Sequence, residues 1–206
     1  MEDINNLLSS FKAAIFDLDG TLVESEPFHQ KAWEEINIKY RMPVMTLDYM
    51  NTVGGLKSVA ICEQWCQMHN LDLDCQNLAR EKMELYKKKY LQQVPLLKEI
   101  ADILVRAKKN GLKVAVATGS QLPETKYLLE KYKLQEFIDT IVSSDQVRHG
   151  KPAPDTYLTA AQRLQTEPHD CIVFEDTPLG LEGIKNAGMT AIRVGGGKIL
   201  SAPIYP

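Results

Sequence analysis

Five short apolar runs, separated by helical patterns and four of them ending in a polar cluster, constrain this chain more than any other feature. Lys12 to Phe16 is rich in strand formers and stops at Asp17-Leu18-Asp19-Gly20. Leu112 to Ala117 stops at Thr118-Gly119-Ser120, Phe137 to Val142 at Ser143-Ser144-Asp145, and Cys171 to Phe174 at Glu175-Asp176. Met189 to Val194 supplies the fifth. Apolar runs this short, bounded by turn residues, suit buried strands. Between them, Pro95 to Asn110 sets Leu96, Leu97, Ile100, Ile103, Leu104 and Ala107 on one face, with a proline near its start and Gly111 just past its end. Pro123 to Lys131, Pro154 to Leu164 and Leu179 to Ala187 behave alike. Strands alternating with helices predict an α/β chain: a Rossmann-like parallel sheet with right-handed crossovers and helices on both faces.

One block departs from the alternation. From Pro27 to about Gln93 only helical periodicity is present, over Phe28 to Tyr40, Leu56 to Met68 and Leu73 to Leu91. The expected organisation is a sheet core formed by residues 1–24 and 94–206, with an all-α cap, residues 25–93, inserted after the first strand. Gly195-Gly196-Gly197 is read as a flexible exit from the last strand, because no convincing helix follows to make it a phosphate loop.

Bulk properties exclude several classes. With Lys and Arg together at 24 against 27 Asp and Glu, the formal net charge is -3, which supplies no basic field for nucleic acid. The start, MEDINNLLSS, is acidic where a secretion signal is basic, and no apolar run approaches about 18 residues. A cytoplasmic protein without a membrane partner is expected, and a monomer fits the sequence, which carries no sign of oligomeric state. Cys62 and Cys66 are four apart and could share a helix face, but no Cys/His set has zinc-finger spacing, so packing of reduced thiols is the reading adopted.

Ligands of open parallel sheets bind beyond the carboxyl ends of the strands, where every polar cluster here falls. Lys151, in the loop Gly150-Lys151-Pro152-Ala153-Pro154, is expected to join them. Crowded carboxylates repel and raise one another's pKa unless a cation compensates, and an oxygen-only donor set suits a hard divalent ion such as Mg²⁺. Thr118 and Ser120 offer hydroxyl donors and the Gly119 turn offers backbone N–H groups, together a socket for a phosphoryl group. Asp17 is then a candidate nucleophile, and Asp19 a candidate acid and base for the leaving group and for water. Gly20 allows the turn that returns Asp19 to the site. A small-molecule phosphate ester is the expected ligand.

Asp17-Leu18-Asp19-Gly20-Thr21, Thr118-Gly119-Ser120, Lys151-Pro152-Ala153-Pro154-Asp155 and Glu175-Asp176 resemble, in order, the four motifs of the haloacid dehalogenase superfamily, and the likeness covers nearly the whole chain. The insertion resembles the small cap of its β-phosphoglucomutase and sugar-phosphate phosphatase subgroup. The resemblance implies a phospho-Asp17 intermediate with Asp19 as general acid/base. It also implies Mg²⁺ held by Asp17, the Asp19 carbonyl and Asp176, with Glu175 bound directly or one step removed, and phosphate held by Thr118 and Lys151. In the cap it implies substrate roles for His29 and for Gly54, Gly55 and Lys57 of a specificity loop. Plain structural readings exist for His29, as hinge packing beside Trp33, and for Lys57, as a surface charge. Lys57 stands where the mutase type has an arginine and Val53 where it has a lysine, which favours a phosphatase over a β-phosphoglucomutase-type isomerase. A non-enzymatic phospho-accepting domain is the remote alternative, disfavoured by the long helical insertion.

Overall fold

A computed structural model describes residues 4–206, the side chains of Leu47 and Asn51 excepted, so the first three residues of the acidic N-terminal stretch lie outside the described residues. The chain divides into two compact units, one formed by the chain up to Glu24 together with Pro95–Pro206, the other by Ser25–Val94.

The first unit opens with a short helix α1 (Ile4–Leu8), followed by strand β1 (Ala13–Phe16). After the insertion come α6 (Lys98–Lys109), β2 (Lys113–Ala117), α7 (Leu122–Lys131), β3 (Thr140–Val142), α8 (Asp155–Arg163), β4 (Cys171–Glu175), α9 (Pro178–Asn186), β5 (Thr190–Gly195) and β6 (Lys198–Ile199). The sheet order is β3-β2-β1-β4-β5-β6, parallel except for the antiparallel β5–β6 pair. This is the Rossmann-like α/β architecture. Because the chain runs from β1 outward to β3 and then crosses back to β4 on the other side of β1, the switch in strand order falls at β1, where such sheets bind ligands.

Tyr157, Ala160, Ala161 and Leu164 of α8, with Ile184 of α9, pack against Ala13, Ile15, Ala115, Ala117 and Val173 of one sheet face. Alternate strand residues point to the other face, so β1 and β4 bury every side chain, and Phe16 and Phe174 stack there with ring centroids 4.6 Å apart.

Three local expectations are corrected. The run from Phe137 does not begin a strand: Gln135–Phe137 is a 3-10 turn, and β3 starts only at Thr140, after Asp139 has turned back to accept a hydrogen bond from Val114 N–H. The triple glycine is no loose exit, because Gly196 and Gly197 adopt φ of 55° and 75° and close a tight β5–β6 hairpin. In the second unit a helix was not anticipated.

That unit holds α2 (Glu26–Lys39), α3 (Leu47–Val53), α4 (Ser58–Met68) and α5 (Cys75–Lys89) and, among the described residues, no strand. α3 is the addition: Thr46 caps it by accepting from Tyr49 N–H. Trp33, Ile36, Met45, Val53, Cys62, Trp65 and Leu78 form its core. None of the described helices is long and apolar enough to cross a membrane.

Candidate active site

β1, β2 and β4 lie side by side in register, with Phe16 opposite both Val116 and Phe174. The residues just beyond them, Asp17, Thr118 and Asp176, are therefore brought to one edge of the sheet without any long-range adjustment. Backbone hydrogen bonds from Asp17 N–H to Phe174 C=O at 3.0 Å and from Thr118 N–H to Val142 C=O at 2.9 Å carry the ladder up to the site.

Asp17 is buried, and Lys151 Nζ stands 2.9 Å from its Oδ1 and 2.7 Å from Glu175 Oε2. Burial opposes the Lys151 charge, but Asp17 and Glu175 hold its ammonium well above the usual lysine range, so it stays charged. Burial, and then the nearby Glu175, push Asp17 well above the usual carboxylate range, while Lys151 pulls the other way. Although Lys151 is close, no hydrogen bond is directed at the buried Oδ1 of Asp17. The site thus gathers more carboxylates than cations, and one buried carboxylate oxygen lacks a well-aligned donor.

Glu175, fully buried, has the opposite character. Its Oε2 accepts from Lys151 Nζ and from the Tyr157 hydroxyl, both at 2.7 Å, and its Oε1 accepts from Thr177 N–H at 2.8 Å and the Thr177 hydroxyl at 2.6 Å. Burial alone would raise this carboxyl, yet Lys151 and Thr177 hold it below the usual range. Four donors occupy the roughly four lone-pair directions of a carboxylate, which leaves Glu175 to hold Lys151. Carboxylate oxygens of Asp17, Glu175 and Asp176 nonetheless fall within 4.8 Å of one another, the clustering expected of a cation site.

Asp19 is turned to different partners. Ser120 Oγ donates to its Oδ2 at 2.6 Å and Thr118 Oγ1 to the same oxygen at 3.3 Å, while Thr118 Oγ1 accepts from Ser120 N–H at 2.9 Å. Both hydroxyls foreseen as phosphate donors therefore face the second aspartate. Leu18, between the two acids, is fully buried. Gly20, at φ 74°, makes the turn and donates its N–H to Val23 C=O. A Cβ there would fall 2.1 Å from Asp176 Oδ2, so glycine is also required for the approach of Asp176, whose Oδ1 accepts from Thr21 Oγ1 at 3.2 Å.

Sequence reasoning missed Tyr157, Thr177 and Gly180. Tyr157 carries no motif signal beyond its place two residues after Asp155. Thr177-Pro178 is a helix-start pattern: Thr177 caps α9 by accepting from Gly180 N–H, and so the cap of α9 is also a brace for Glu175. Gly180 leaves the space Glu175 fills, since a Cβ there would lie 2.1 Å from Glu175 Cδ.

The foreseen cap residues all belong to the second unit. His29 Nδ1 lies 2.8 Å from Lys82 Nζ, and its ring stacks on Tyr86 at 3.9 Å. Burial, with the Lys82 charge, holds this imidazole well below the usual histidine range and hence neutral. Gly54 and Gly55 join α3 to α4, with Gly55 at φ 86°, and Lys57 is the exposed N-cap residue of α4. Val53, which stands where the mutase type has a lysine, is buried in the unit's own core.

Residues 14–194 match the haloacid dehalogenase-like hydrolase family over most of the chain. The chain belongs to that family. As a member of it, it is an enzyme of the haloacid dehalogenase-like hydrolase type. It is 36% identical over 184 residues to fructose-1-phosphate phosphatase YqaB of Escherichia coli (strain K12), a match covering 89% of this chain and 96% of that protein. It is 28% identical over 194 residues to the β-phosphoglucomutase of Bacillus subtilis (strain 168), covering 91% and 84%. The crystal structure of CbbY from Rhodobacter sphaeroides in complex with phosphate superimposes with a TM-score of 0.80 at 27% identity, covering 90% of this chain and 87% of that one.

Proposed function

We propose that this haloacid dehalogenase-like hydrolase is a Mg²⁺-dependent phosphatase of small sugar phosphates acting through phospho-Asp17. The observation that carries the reading is the separation of the two aspartates: Asp17 faces the Lys151 ammonium, while Asp19 is held apart by Ser120 and Thr118. One acid is placed against a cation that offsets repulsion from an incoming phosphate, and the other is oriented by hydroxyl hydrogen bonds for the separate task of proton transfer.

In the first step an Asp17 carboxylate oxygen attacks phosphorus, and the ester oxygen leaves with the proton of Asp19. In the second, Asp19 takes a proton from water as that water attacks phospho-Asp17, releasing phosphate and restoring both carboxyls. Lys151 stays protonated throughout, held by Glu175. Thr118 and Ser120 orient Asp19 and, when it turns toward substrate, are free to donate to phosphate oxygens.

The donor set fits a hard divalent cation, because Asp17 Oδ1 is buried without a hydrogen-bond donor beside further carboxylates. Asp17 and Asp176 side chains would hold it, with the Asp19 backbone carbonyl as the family resemblance implies; Glu175, its oxygens already occupied, lies outside this set. Bound there, the ion supplies positive charge that lowers the repulsion between Asp17 and a phosphate dianion.

The sugar-phosphate class is supported by the likeness to the fructose-1-phosphate phosphatase. A panel of phosphorylated sugars assayed for phosphate release with Mg²⁺, and again after chelation, tests the reading. Hydrolysis of at least one hexose phosphate that disappears on chelation and in Asp17→Asn supports it, and near-normal turnover by Asp17→Asn refutes it. The mutase alternative predicts glucose 6-phosphate, rather than free phosphate, from β-glucose 1-phosphate.

A further inference from the structure

The helical unit contains a cluster for which the phosphatase chemistry has no use. Cys62 and Cys66 lie one turn apart on α4, and the connection after α4 returns the chain so that Cys75, the first residue of α5, meets them. Cys75 Sγ lies 3.4 Å from Cys66 Sγ, and the three sulfurs all lie within 4.8 Å of one another. None is in a disulfide; Cys62 and Cys66 are buried and Cys75 is partly exposed. Spacing along the sequence reaches only the first pair, because the third sulfur arrives from the next helix.

We propose that Cys62, Cys66 and Cys75 form a three-thiolate site for Zn²⁺, with water as the fourth ligand. A Zn–S bond of about 2.3 Å at tetrahedral angles sets the sulfurs about 3.8 Å apart. The separations here, 3.4 Å between Cys66 and Cys75 and no more than 4.8 Å for any pair, bracket that value and need only small side-chain shifts. Sulfur donors select a soft or borderline ion and reject the Mg²⁺ expected among the carboxylates of the other unit. The partial exposure of Cys75 provides an entry path and room for the water.

Binding releases one proton from each thiol to solvent and leaves a complex of net charge -1. Without metal the buried thiols are protonated and inert, since burial pushes Cys62 up and raises Cys66 to about 11. The ion displaces these protons directly, and the complex's negative charge sits at the N-terminus of α5, where helix N–H groups favour it. Tying α4 to α5, the ion stabilises the helical unit by an increment that grows with the logarithm of its free concentration.

The test is a titration of the reduced, chelator-stripped full-length protein with Co²⁺, a spectroscopic stand-in for Zn²⁺. The expected result is a sulfur-to-cobalt charge-transfer band that saturates at one equivalent, is bleached by Zn²⁺, and is lost in Cys75→Ser. Zn²⁺ should also protect the partly exposed Cys75 of the wild-type chain from alkylation, a readout that needs no variant, and raise the melting temperature. Cobalt at the carboxylates gives no sulfur band, so the outcome is independent of the proposed phosphatase site. Absence of the band at stoichiometric Co²⁺, an undiminished band in Cys75→Ser, or an unprotected Cys75 with excess Zn²⁺ would overturn the proposal.

Discussion

Replacing Gly180 with alanine separates local from tertiary reasoning, because the two give opposite signs. Gly180 lies in the first turn of α9, and helix propensity alone makes alanine more stable there by about 1 kcal/mol. The new Cβ, however, would lie 2.1 Å from Glu175 Cδ and 2.4 Å from each carboxylate oxygen. Glu175 cannot retreat easily, since it is fully buried at the end of a strand paired on both sides. The bonds at greatest risk are the two from Thr177 to Oε1, at 2.8 and 2.6 Å. Hydrogen bonds to a charged group are worth about 1.5–3 kcal/mol each, so losing one to two of them outweighs the propensity gain and leaves a net loss of about 3 kcal/mol. For a chain of this size that lowers the melting temperature by about 6–12 °C, with kcat falling as Lys151 loses its anchor. Calorimetry beside steady-state kinetics reads both. An unchanged or raised melting temperature would refute the claim that Gly180 exists to make room for Glu175.

Tyr157→Phe keeps the ring and removes only the hydroxyl that donates to Glu175 Oε2. It should cost about 1.5–3 kcal/mol in urea unfolding and lower kcat about tenfold with little change in KM, since Lys151 is positioned less firmly but not removed. Asp139→Asn probes acid stability. Burial would raise the Asp139 carboxyl, but Lys108 and the Val114 N–H hold it below its ordinary value. A depressed carboxyl stabilises the fold above its unfolded pKa of about 3.9, and that increment is lost as pH falls through the folded value. The stability gap between wild type and Asp139→Asn should therefore be full at neutral pH and close below about pH 4.

The sheet core was legible because its signals are local. Each strand is a short apolar run, each ends at a polar cluster, and parallel pairing in register brings β1, β2 and β4 to a common edge with Asp17, Thr118 and Glu175 at their ends. α3 was not legible: it is seven residues long, and its stability rests on the Thr46 cap and on burial of Val53 rather than on a long apolar stripe. The Gly195–Gly197 turn was misread because its conformation is set by strand pairing with Lys198 and Ile199, which no helix-seeking rule examines. At the site, the acids and the lysine stood out as polar residues at the ends of apolar runs. Their division of work did not, because Glu175 is separated from Asp176 only by its partners, Lys151, Tyr157 and Thr177, and Gly180 is a glycine for reasons visible only across the space between β4 and α9.

The central claim is that Asp17 receives the phosphoryl group and Asp19 hastens its release. Asp19→Asn treated with ³²P-acetyl phosphate and Mg²⁺ tests it most directly, because that donor's leaving group needs no proton while water attack on the phosphoenzyme does. After acid quench and peptide mapping, the predicted result is a hydroxylamine-labile label on Asp17 that persists far longer than in the wild-type enzyme and is absent when Asp17 is also changed to asparagine. No label in Asp19→Asn, or a label on any residue other than Asp17, would contradict the account.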